Sequence, residues 1–406
     1  MIILNLVNKS KVPLYIQIYT EIKELIQNKV LKANEKLPSK KDFIDYYNIS
    51  QSTIQNALYL LLEEGYIFSI ERKGYFVSDI ENLIVHNIKI ENKRQYKEKK
   101  KIHYDFSYSG VDSKSLAKTI FKRITKDVYD EENEDLLFQG HIQGDFLLRK
   151  SICEYLSQSR GFKAEAEQLI ISSGTEYLFY IIFKLFNNKI YGLENPCHKM
   201  FKELFLTNDV SFKAISLDES GIMIEDLKKY NVNIAYVTPS HQFPTGTIMS
   251  ISRRTELLNW ANETPNCYIV EDDYDSEFKY TGRPIPALKA SDINDKVIYL
   301  GSFSKSISPA IRVSYLVLPK ALLNIYQKKL PYFICPVPTL NQKILYRFIK
   351  DGYFVKHINK MRTLYKKKRE YLVNTIKMYS SEILGKEISI QGADAGLHLV
   401  IKLNKN

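Results

Sequence analysis

The chain has 406 residues, of which 45% are hydrophobic and 26% charged, values that are ordinary for a folded protein of two or three domains. Its formal net charge of +12 suggests a polyanionic partner, although lysines are spread along the whole chain. No apolar run reaches the roughly 18 to 20 residues of a membrane span, and the apolar start of the chain is too brief for a signal peptide. The four cysteines are far apart and lack CxxC spacing, which favours free thiols in a cytoplasmic protein over disulfides or a zinc site.

The first part of the chain has the pattern of three helices. Apolar residues recur at helical spacing over residues 15–26. Ser39 and, three residues later, Asp42 have the spacing of a capping box, which predicts the start of a second, short helix. Ser50 is placed to cap a third helix, and Gly65 is placed to end it.

Two strand-like runs follow, residues 66–70 and 75–78, around a tip that carries basic side chains. Three helices and such a hairpin predict a winged helix-turn-helix, an α+β unit, in residues 1–78. In a helix-turn-helix the second helix of the motif lies in the major groove, and its first residues reach the base edges. A double-stranded DNA operator is therefore the expected partner.

The candidate DNA contacts lie at the starts of the second and third helices and at the tip of the wing. Short hydroxyl and amide side chains suit phosphates and adenine edges, and basic side chains suit phosphates. These residues are Lys40, Lys41, Ser50, Gln51, Ser52, Thr53, Gln55, Arg72 and Lys73. The alternative is a winged helix that docks a protein, since Glu63 and Glu64 keep the unit from being uniformly basic.

Residues 79–105 differ in character from what precedes them. Residues 93–101 form a charged run with little to bury, which predicts a linker. A solvated tether is the simpler interpretation of this run, and a basic arm that follows DNA is the alternative.

Residues 106–406 alternate between strand-like and helical patterns. Buried-strand signals occur at residues 169–171, 234–237, 267–270, 297–300 and 313–317, and a final strand-like run covers residues 398–403. Amphipathic helical stretches separate several of them. This alternation predicts an α/β domain with a mainly parallel sheet.

Polar and reactive side chains follow two of these strand signals. Asp272 comes after residues 267–270, and Lys305 and Arg312 come after residues 297–300. Open α/β sheets bind ligands at the carboxyl ends of their strands. A lysine can condense with an aldehyde, a carboxylate can keep a pyridine nitrogen protonated, and a planar guanidinium suits a phosphate. Pyridoxal 5′-phosphate (PLP) needs all three groups, whereas a lone loop lysine is by default a solvated one.

Further side chains complete the predicted cofactor site. Tyr274 is placed to donate to the ring hydroxyl of the cofactor, and Ser302 and Ser304 are placed to donate to its phosphate. A turn between a strand signal and an apolar helix offers unpaired backbone amides and a glycine, which together form an anion site. This turn consists of Gly174, Thr175 and Glu176.

The segments Pro13–Tyr19, Lys36–Ser39 and Ser50–Gly65 resemble the N-terminal domain of GntR-family regulators. The family often has an arginine directly after the serine that starts the recognition helix, and here that residue is Gln51. The arginine of the family's Leu-Pro-Ser-x-Arg motif is Lys41 here, and the wing sequence also departs from the family pattern. The resemblance implies the winged-helix fold, and the departures leave the operator sequence undefined.

The segments Thr238–Gly246, Glu271–Phe278 and Ser302–Arg312 resemble fold type I, class I/II aminotransferases. Joined to a GntR-type winged helix, such a domain resembles the MocR subfamily of PLP-dependent regulators. This resemblance implies that the second domain mainly senses a small amine or amino-acid effector, or PLP itself. It also implies a head-to-tail homodimer.

Three departures from the aminotransferase pattern stand out. His198 replaces the aromatic residue that covers the cofactor ring; its imidazole can stack there, and a solvent-facing loop residue is the alternative. Phe243 replaces a common asparagine, so Tyr274 would serve the ring hydroxyl alone. Family members continue for several tens of residues after residues 396–400 and carry there the arginine that binds a substrate carboxylate. We therefore expect this domain to be C-terminally truncated, with open strand edges.

The favoured hypothesis is a transcriptional regulator that binds PLP through a Schiff base with Lys305. The first alternative is an active aminotransferase with an accessory DNA-binding domain, against which the expected loss of the carboxylate-binding arginine argues. The second is a DNA-binding repressor whose other domain only dimerises, against which the combination of Asp272, Lys305 and Arg312 argues.

Overall fold

The computed structural model describes residues 2–7, 10–79, 110–112, 114–131, 135–282, 285–382 and 388–403. None of the helices in these segments is long and apolar enough to cross a membrane. The chain forms two compact units, residues 1–101 and 102–406. The predicted linker at residues 79–105 lies, except for its first residue, outside the described segments, so the three domain boundaries stay a prediction.

The first unit is a winged helix-turn-helix, as predicted. Its helices are α1 (Leu14–Gln27), α2 (Lys40–Tyr47) and α3 (Gln51–Glu63). Its wing consists of β1 (Ile67–Ile70) and β2 (Gly74–Val77), which pair antiparallel.

The predicted caps of these helices are confirmed. The Ser39 hydroxyl accepts the Asp42 backbone N–H at 3.2 Å, and the Asp42 carboxylate accepts the Ser39 backbone N–H at 2.8 Å. The Ser50 hydroxyl accepts the Thr53 backbone N–H at 3.1 Å. Gly65 has φ +75°, a left-handed conformation that glycine adopts without strain, and the chain leaves α3 there.

The second unit contains nine α-helices among the described residues. They are α4 (Lys118–Glu131), α5 (Phe146–Arg160), α6 (Thr175–Leu185), α7 (Lys199–Thr207), α8 (Ile224–Lys229), α9 (Ile251–Glu263), α10 (Lys320–Lys329), α11 (Thr339–Lys350) and α12 (Tyr353–Glu382). Its strands are β3 (Leu169–Ser172), β4 (Tyr191–Asn195), β5 (Phe212–Asp218), β6 (Gly221–Ile222), β7 (Ile234–Val237), β8 (Tyr268–Asp273), β9 (Val297–Ser302), β10 (Ser314–Val317), β11 (Ile388–Gln391) and β12 (Val400–Leu403).

Eight of these strands form one sheet in the order β3-β10-β9-β8-β7-β4-β5-β6. The central pairs β4–β5, β4–β7, β7–β8 and β8–β9 are parallel, as predicted. However, β10 runs antiparallel to both of its neighbours, and β6 runs antiparallel to β5. The physical reason for β10 is the short segment that joins it to β9, because a parallel crossover needs about a dozen residues or more and usually a helix.

The sheet is buried on both faces. Neighbouring residues on one strand belong to different hydrophobic clusters. Ile170 and Leu300 pack in the cluster that contains Phe179 of α6. Ile171 and Tyr299 pack in the cluster that contains Phe162. This follows from the alternation of side chains along a strand. The strand ends therefore emerge from a rigid core, which holds their polar residues in place.

Some strands were not predicted or begin elsewhere. The sequence does not predict β4 and β5. Strand β4 contains Gly192 and the charged Glu194, and most residues of β5 are exposed, so neither forms an apolar run. The predicted strand at residues 398–403 begins at Val400 and pairs with β11 in a separate two-stranded sheet. The predicted truncation of the domain stays a prediction.

Candidate functional sites

The start of α3 exposes part of the predicted DNA-contacting surface. Gln51, Ser52 and Gln55 are exposed. Ser50 and Thr53 instead serve the helix start, because the Ser50 hydroxyl accepts the Thr53 N–H and lies 2.7 Å from the Thr53 hydroxyl. The amides of Gln51 and Gln55 are therefore the side chains best able to meet base edges.

The predicted basic contacts differ in exposure. Lys41, Arg72 and Lys73 are exposed. Lys40 is half-buried, and its ammonium lies 5.6 Å from the centroid of the Tyr75 ring in the wing. Lys40 thus also stabilises the contact between α2 and β2 through a cation–π interaction.

All ten residues predicted to bind the cofactor line one cavity of about 270 Å³ in the second unit. They are Gly174, Thr175, Glu176, His198, Asp272, Tyr274, Ser302, Ser304, Lys305 and Arg312. They come from separate strand ends and turns, which the sheet brings together. Their roles toward a cofactor stay predictions.

Asp272 is the second-last residue of β8, so it lies within the sheet and not just past it. Its carboxylate Oδ2 accepts the Tyr236 hydroxyl of β7 at 2.6 Å. Burial raises the pKa of Asp272 to about 7, and the hydrogen bond from Tyr236 acts in the opposite direction. A cationic nitrogen beside Asp272 would favour the charged carboxylate.

Lys305 lies in the turn between β9 and β10. The turn is held by the Ser302 hydroxyl, which accepts the Ser304 backbone N–H at 3.1 Å, and by the Ile307 N–H, which donates to the Phe303 carbonyl at 2.9 Å. Burial lowers the pKa of Lys305, while Asp275 partly offsets that shift. A lowered pKa increases the fraction of neutral amine, which is the nucleophilic form.

The predicted phosphate end of the cavity is formed by the start of α6 and by Arg312. Gly174 precedes α6 with φ +87°, and a Cβ there would lie 2.2 Å from Nη2 of Arg312. Arg312 pairs with Glu176 at 3.0 Å. The guanidinium, the first amides of α6 and the hydroxyls of Ser302 and Ser304 thus line one part of the cavity.

His198 is a half-buried residue that caps α7. Its Nδ1 accepts the Met200 backbone N–H at 3.1 Å, and its ring centroid lies 5.1 Å from that of Phe243. Burial lowers the pKa of His198, with a further contribution from Lys305. Both rings line the cavity, so the imidazole has a fixed orientation at its wall.

Tyr274 has a hydrogen-bond partner within the protein. Its hydroxyl donates to the His241 backbone carbonyl at 2.7 Å. Donation to a ring hydroxyl of a cofactor would require it to turn away from that carbonyl. The neighbouring Asp273 pairs with Arg160 at 2.6 Å and accepts the Tyr299 hydroxyl at 2.6 Å, which gives it the structural role that its buried position requires.

Tyr236 and Glu194 are among the residues of the cavity wall that were not predicted as site residues. Tyr236 lies inside the apolar strand signal at residues 234–237, which predicts an ordinary core residue. Glu194 is 2% exposed; its Oε2 accepts the Thr238 hydroxyl at 2.7 Å, and its Oε1 has no hydrogen-bond partner among the described residues. Burial raises the pKa of Glu194 to about 7. A charged residue at the end of an apolar run was the one available signal.

Two family profiles match the chain. Residues 14–77 match the profile of bacterial regulatory proteins of the gntR family, and residues 108–406 match that of class I and II aminotransferases. Each profile falls on one of the two units described above.

Two relatives match nearly the whole length of the chain. The chain is 37% identical over 393 residues to the uncharacterised HTH-type transcriptional regulator YdeL of Bacillus subtilis, covering 96% of this chain and 84% of the relative. It is 27% identical to the probable rhizopine catabolism regulatory protein MocR of Rhizobium meliloti, covering 98% and 83%. Among solved structures, kynurenine aminotransferase of Pyrococcus horikoshii is similar with a TM-score of 0.65 and 25% identity, covering 73% of this chain and 75% of that one.

Proposed function

The chain belongs to the class I and II aminotransferase family and joins that domain to a gntR-family DNA-binding domain, as the MocR subfamily does, and we propose that it holds PLP through Lys305 to sense a ligand. The ligand is a small amine or amino acid, or PLP itself. The coarser assignment, a transcriptional regulator with an aminotransferase-like domain that implies PLP, follows from the family. The observation that carries the proposal is the single cavity that holds Asp272, Lys305 and Arg312 together.

The residues of the cavity fit this cofactor. Lys305 offers a partly desolvated amine, Asp272 a buried carboxylate, and Arg312 with the start of α6 an anion site. Gly174 supports the fit, because any side chain there would meet the Arg312 guanidinium. When bound, the cofactor supplies an aldehyde that captures primary amines and a ring that withdraws electrons.

The residues of the chain would then divide the work of binding. Asp272, kept in place by Tyr236, would orient the ring through its nitrogen, and the wall formed by His198 and Phe243 would exclude water from one side. Arg312 would leave Glu176 and pair with the phosphate, because a phosphate dianion accepts hydrogen bonds from two guanidinium nitrogens at once. An effector amine would compete with the Lys305 amine for the same position, which gives the regulator a way to sense it.

Binding of PLP is tested by absorption spectroscopy of the full-length chain. PLP added to the wild type should give the visible band of a lysine-bound cofactor, and Lys305→Ala should abolish that band. Lys296→Ala is the matched control. Lys296 lies directly before the first residue of β9, whereas Lys305 follows its last residue, and the Lys296 ammonium contacts the Tyr268 ring. A wild type without the band, or a Lys305→Ala variant that keeps it, would refute the proposed role of Lys305.

Sensing is tested separately by DNA binding. A duplex that the chain binds can be selected from a random pool, and its affinity is then measured with PLP and a panel of amines and amino acids. An effector should change the affinity of the wild type and leave that of Lys305→Ala unchanged. Equal effects on both variants would contradict sensing through Lys305.

An active aminotransferase is the second candidate, and the complete set of Asp272, Lys305 and Arg312 favours it. Single-turnover reactions with amino acids distinguish the two functions. Conversion of the bound cofactor at enzyme-like rates, with release of a keto acid, would support the enzyme; slow or absent conversion supports the sensor.

We further propose a head-to-tail homodimer. Large apolar side chains are exposed at two places in the second unit: Leu137 is 87% exposed and Phe138 69%, and Tyr332 is 93% exposed and Ile334 57%. Clusters of this kind on a protein surface commonly mark an interface. They support association of two chains through the aminotransferase-like unit.

A further inference from the structure

Three potential metal ligands meet at one point outside the walls of the cofactor cavity. They are His241 after β7, Asp275 after β8, and His398 shortly before β12. One ligand atom from each lies within 4.8 Å of the others. His241 and Asp275 are each 1% exposed, and His398 is half-buried.

The two ring nitrogens of His241 have different surroundings. Its Nε2 donates to the Gly392 backbone carbonyl at 3.1 Å, because a carbonyl can only accept. Its Nδ1 lies 3.1 Å from Oδ2 of Asp275, and that oxygen also accepts the Leu397 N–H at 3.0 Å. This separation of Nδ1 and Oδ2 is close to that of two ligand atoms on one tetrahedral metal ion, about 3.3 Å.

His398 has the same arrangement. It bonds to the Pro244 backbone carbonyl, while its Nε2 is buried without a hydrogen-bond partner in the part of the chain that the structure describes. Its bond to Pro244 is therefore made by Nδ1. In metal sites a ligating histidine almost always donates its other ring nitrogen to a carbonyl or carboxylate, which fixes the tautomer.

Gly396 packs closely against this cluster. A Cβ at this position would lie 2.0 Å from Nδ1 of His241 and 2.2 Å from Oδ2 of Asp275. Any other residue at position 396 would therefore displace these two side chains from their present positions.

We propose that His241, Asp275 and His398 bind one divalent transition-metal ion of the Zn²⁺ or Co²⁺ type. Two imidazoles and one carboxylate suit such ions, whereas Mg²⁺ and Ca²⁺ prefer oxygen ligands alone. Tetrahedral coordination places ligand atoms about 3.3 Å apart, so His398 closes in on the other two and water takes the fourth position. His398, Gly396 and Leu397 also line a cavity of about 540 Å³, which provides an entry path.

The ion would add a link between two parts of the fold that hydrogen bonds already join. His241 and Asp275 belong to the large sheet, and His398 belongs to the segment between β11 and β12. Tyr274, next to Asp275, lines the cofactor cavity and donates to the His241 carbonyl. Metal binding therefore fixes the C-terminal hairpin against the rim of the cofactor cavity. None of the three ligands lines that cavity, so the site does not depend on PLP.

The test is a zinc titration of the full-length chain without a polyhistidine tag and without PLP, by calorimetry and by metal analysis after dialysis. The wild type should bind one Zn²⁺ per chain and gain thermal stability from it. His398→Ala should lose at least about tenfold in zinc affinity and lose the stabilisation. His141→Ala, an exposed histidine of the same unit, is the matched control and should behave as the wild type.

A gain-of-signal variant decides the matter if His398→Ala does not fold. His398→Cys with Co²⁺ should show a thiolate-to-cobalt charge-transfer band that the wild type lacks, because cysteine then coordinates the ion. A wild type that binds no zinc, equal zinc affinity of the wild type and His398→Ala, or the absence of that band would overturn the proposal. In that case Nδ1 carries a proton, and His241 and Asp275 are a buried ion pair.

Discussion

Two carboxyl groups at the wall of the cofactor cavity, Asp272 and Glu194, are held in environments that resist ionisation. Each is buried, and each has a pKa raised to about 7. Asp272 is stabilised as a carboxylate by the hydroxyl of Tyr236, at 2.6 Å. A hydrogen bond to a charged group contributes about 1.5 to 3 kcal/mol, so Tyr236 should act as a positioning residue for Asp272.

Tyr236→Phe removes this hydroxyl and little else. We expect PLP affinity to fall roughly tenfold or more, since about 1.4 kcal/mol corresponds to a factor of ten. Titration of the absorption band with PLP measures the change. Tyr326→Phe is the matched control, because the buried Tyr326 hydroxyl has no hydrogen-bond partner among the described residues. Equal affinities of the two variants would exclude the positioning role.

Glu194 makes the stability of the second unit depend on pH. Its pKa is about 7 in the folded chain against an ordinary value of 4.5, chiefly because of burial. Between these two pH values the unfolded chain releases a proton that the folded chain retains. The free energy of unfolding therefore falls as the pH rises through this window, by up to about 1.4 kcal/mol per pH unit, and levels off above it.

Glu194→Gln removes the contribution of Glu194 to this dependence, because the amide does not ionise, whereas the contribution of Asp272 is common to the variant and the wild type. At about pH 5 we expect the variant to be no more stable than the wild type, because its amide nitrogen replaces an oxygen that has no partner. By about pH 7.5 the difference in free energy of unfolding between wild type and variant should narrow or reverse, because the wild type has then lost the contribution of Glu194. Urea unfolding of the PLP-free chain at both pH values measures it. A difference that is constant with pH would show that Glu194 ionises normally.

Helix α3 is the element that should read DNA sequence. Its start is fixed by Ser50 and Thr53, and Gln51 and Gln55 remain exposed one turn apart. An amide can pair with an adenine edge through two hydrogen bonds, worth about 1 to 3 kcal/mol of discrimination. The basic residues around it contribute sequence-independent binding that salt weakens.

Gln51→Ala combined with Gln55→Ala should weaken binding to a selected duplex by roughly tenfold or more and leave binding to random DNA nearly unchanged. Lys41→Ala should instead weaken binding to the selected duplex and to random DNA alike. It should also reduce the slope of log affinity against log salt concentration by about one. Fluorescence anisotropy at several salt concentrations measures these effects. Glu63→Gln, at the far end of α3, is the control. A uniform loss in the double variant would contradict base reading.

At the scale of the whole molecule, the exposed apolar side chain of Tyr332 provides a test of homodimer formation. Tyr332→Asp should shift the chain toward the monomer in analytical ultracentrifugation, because a carboxylate cannot be buried unpaired in an interface. Ile293→Asp is the matched control, since Ile293 is 92% exposed and lies elsewhere in the same unit. If both variants sediment as the wild type, the surface around Tyr332 is not the interface.

Much of the architecture was predictable because it depends on local signals. The capping box at Ser39, the glycine end of α3 and the periodicity of the helices depend on neighbours within a few residues. The positions of β7 and β9 were evident from their apolar runs. The antiparallel direction of β10 was not, because strand direction depends on what the short connection after Ser302 allows in three dimensions.

Some residues of the candidate sites were predictable from the sequence, and others were not. Lysine, arginine and carboxylate chemistry made Lys305, Arg312 and Asp272 recognisable by type and by position after strand signals, and those signals predicted that they would meet. Tyr236 and the cluster of His241, Asp275 and His398 were not recognisable. Tyr236 looks like any core residue, and the three ligands lie far apart along the chain.

The sequence by itself determined the winged helix, the α/β domain and the kind of cofactor, because helix caps, strand periodicity and reactive side chains are properties of the local chain. The tertiary structure alone decided which buried groups touch. It pairs Tyr236 with Asp272 across adjacent strands, leaves Oε1 of Glu194 without a partner among the described residues, and directs two histidines toward one carboxylate. These contacts arise from packing between distant segments, where the cost of burying polar groups fixes each partner.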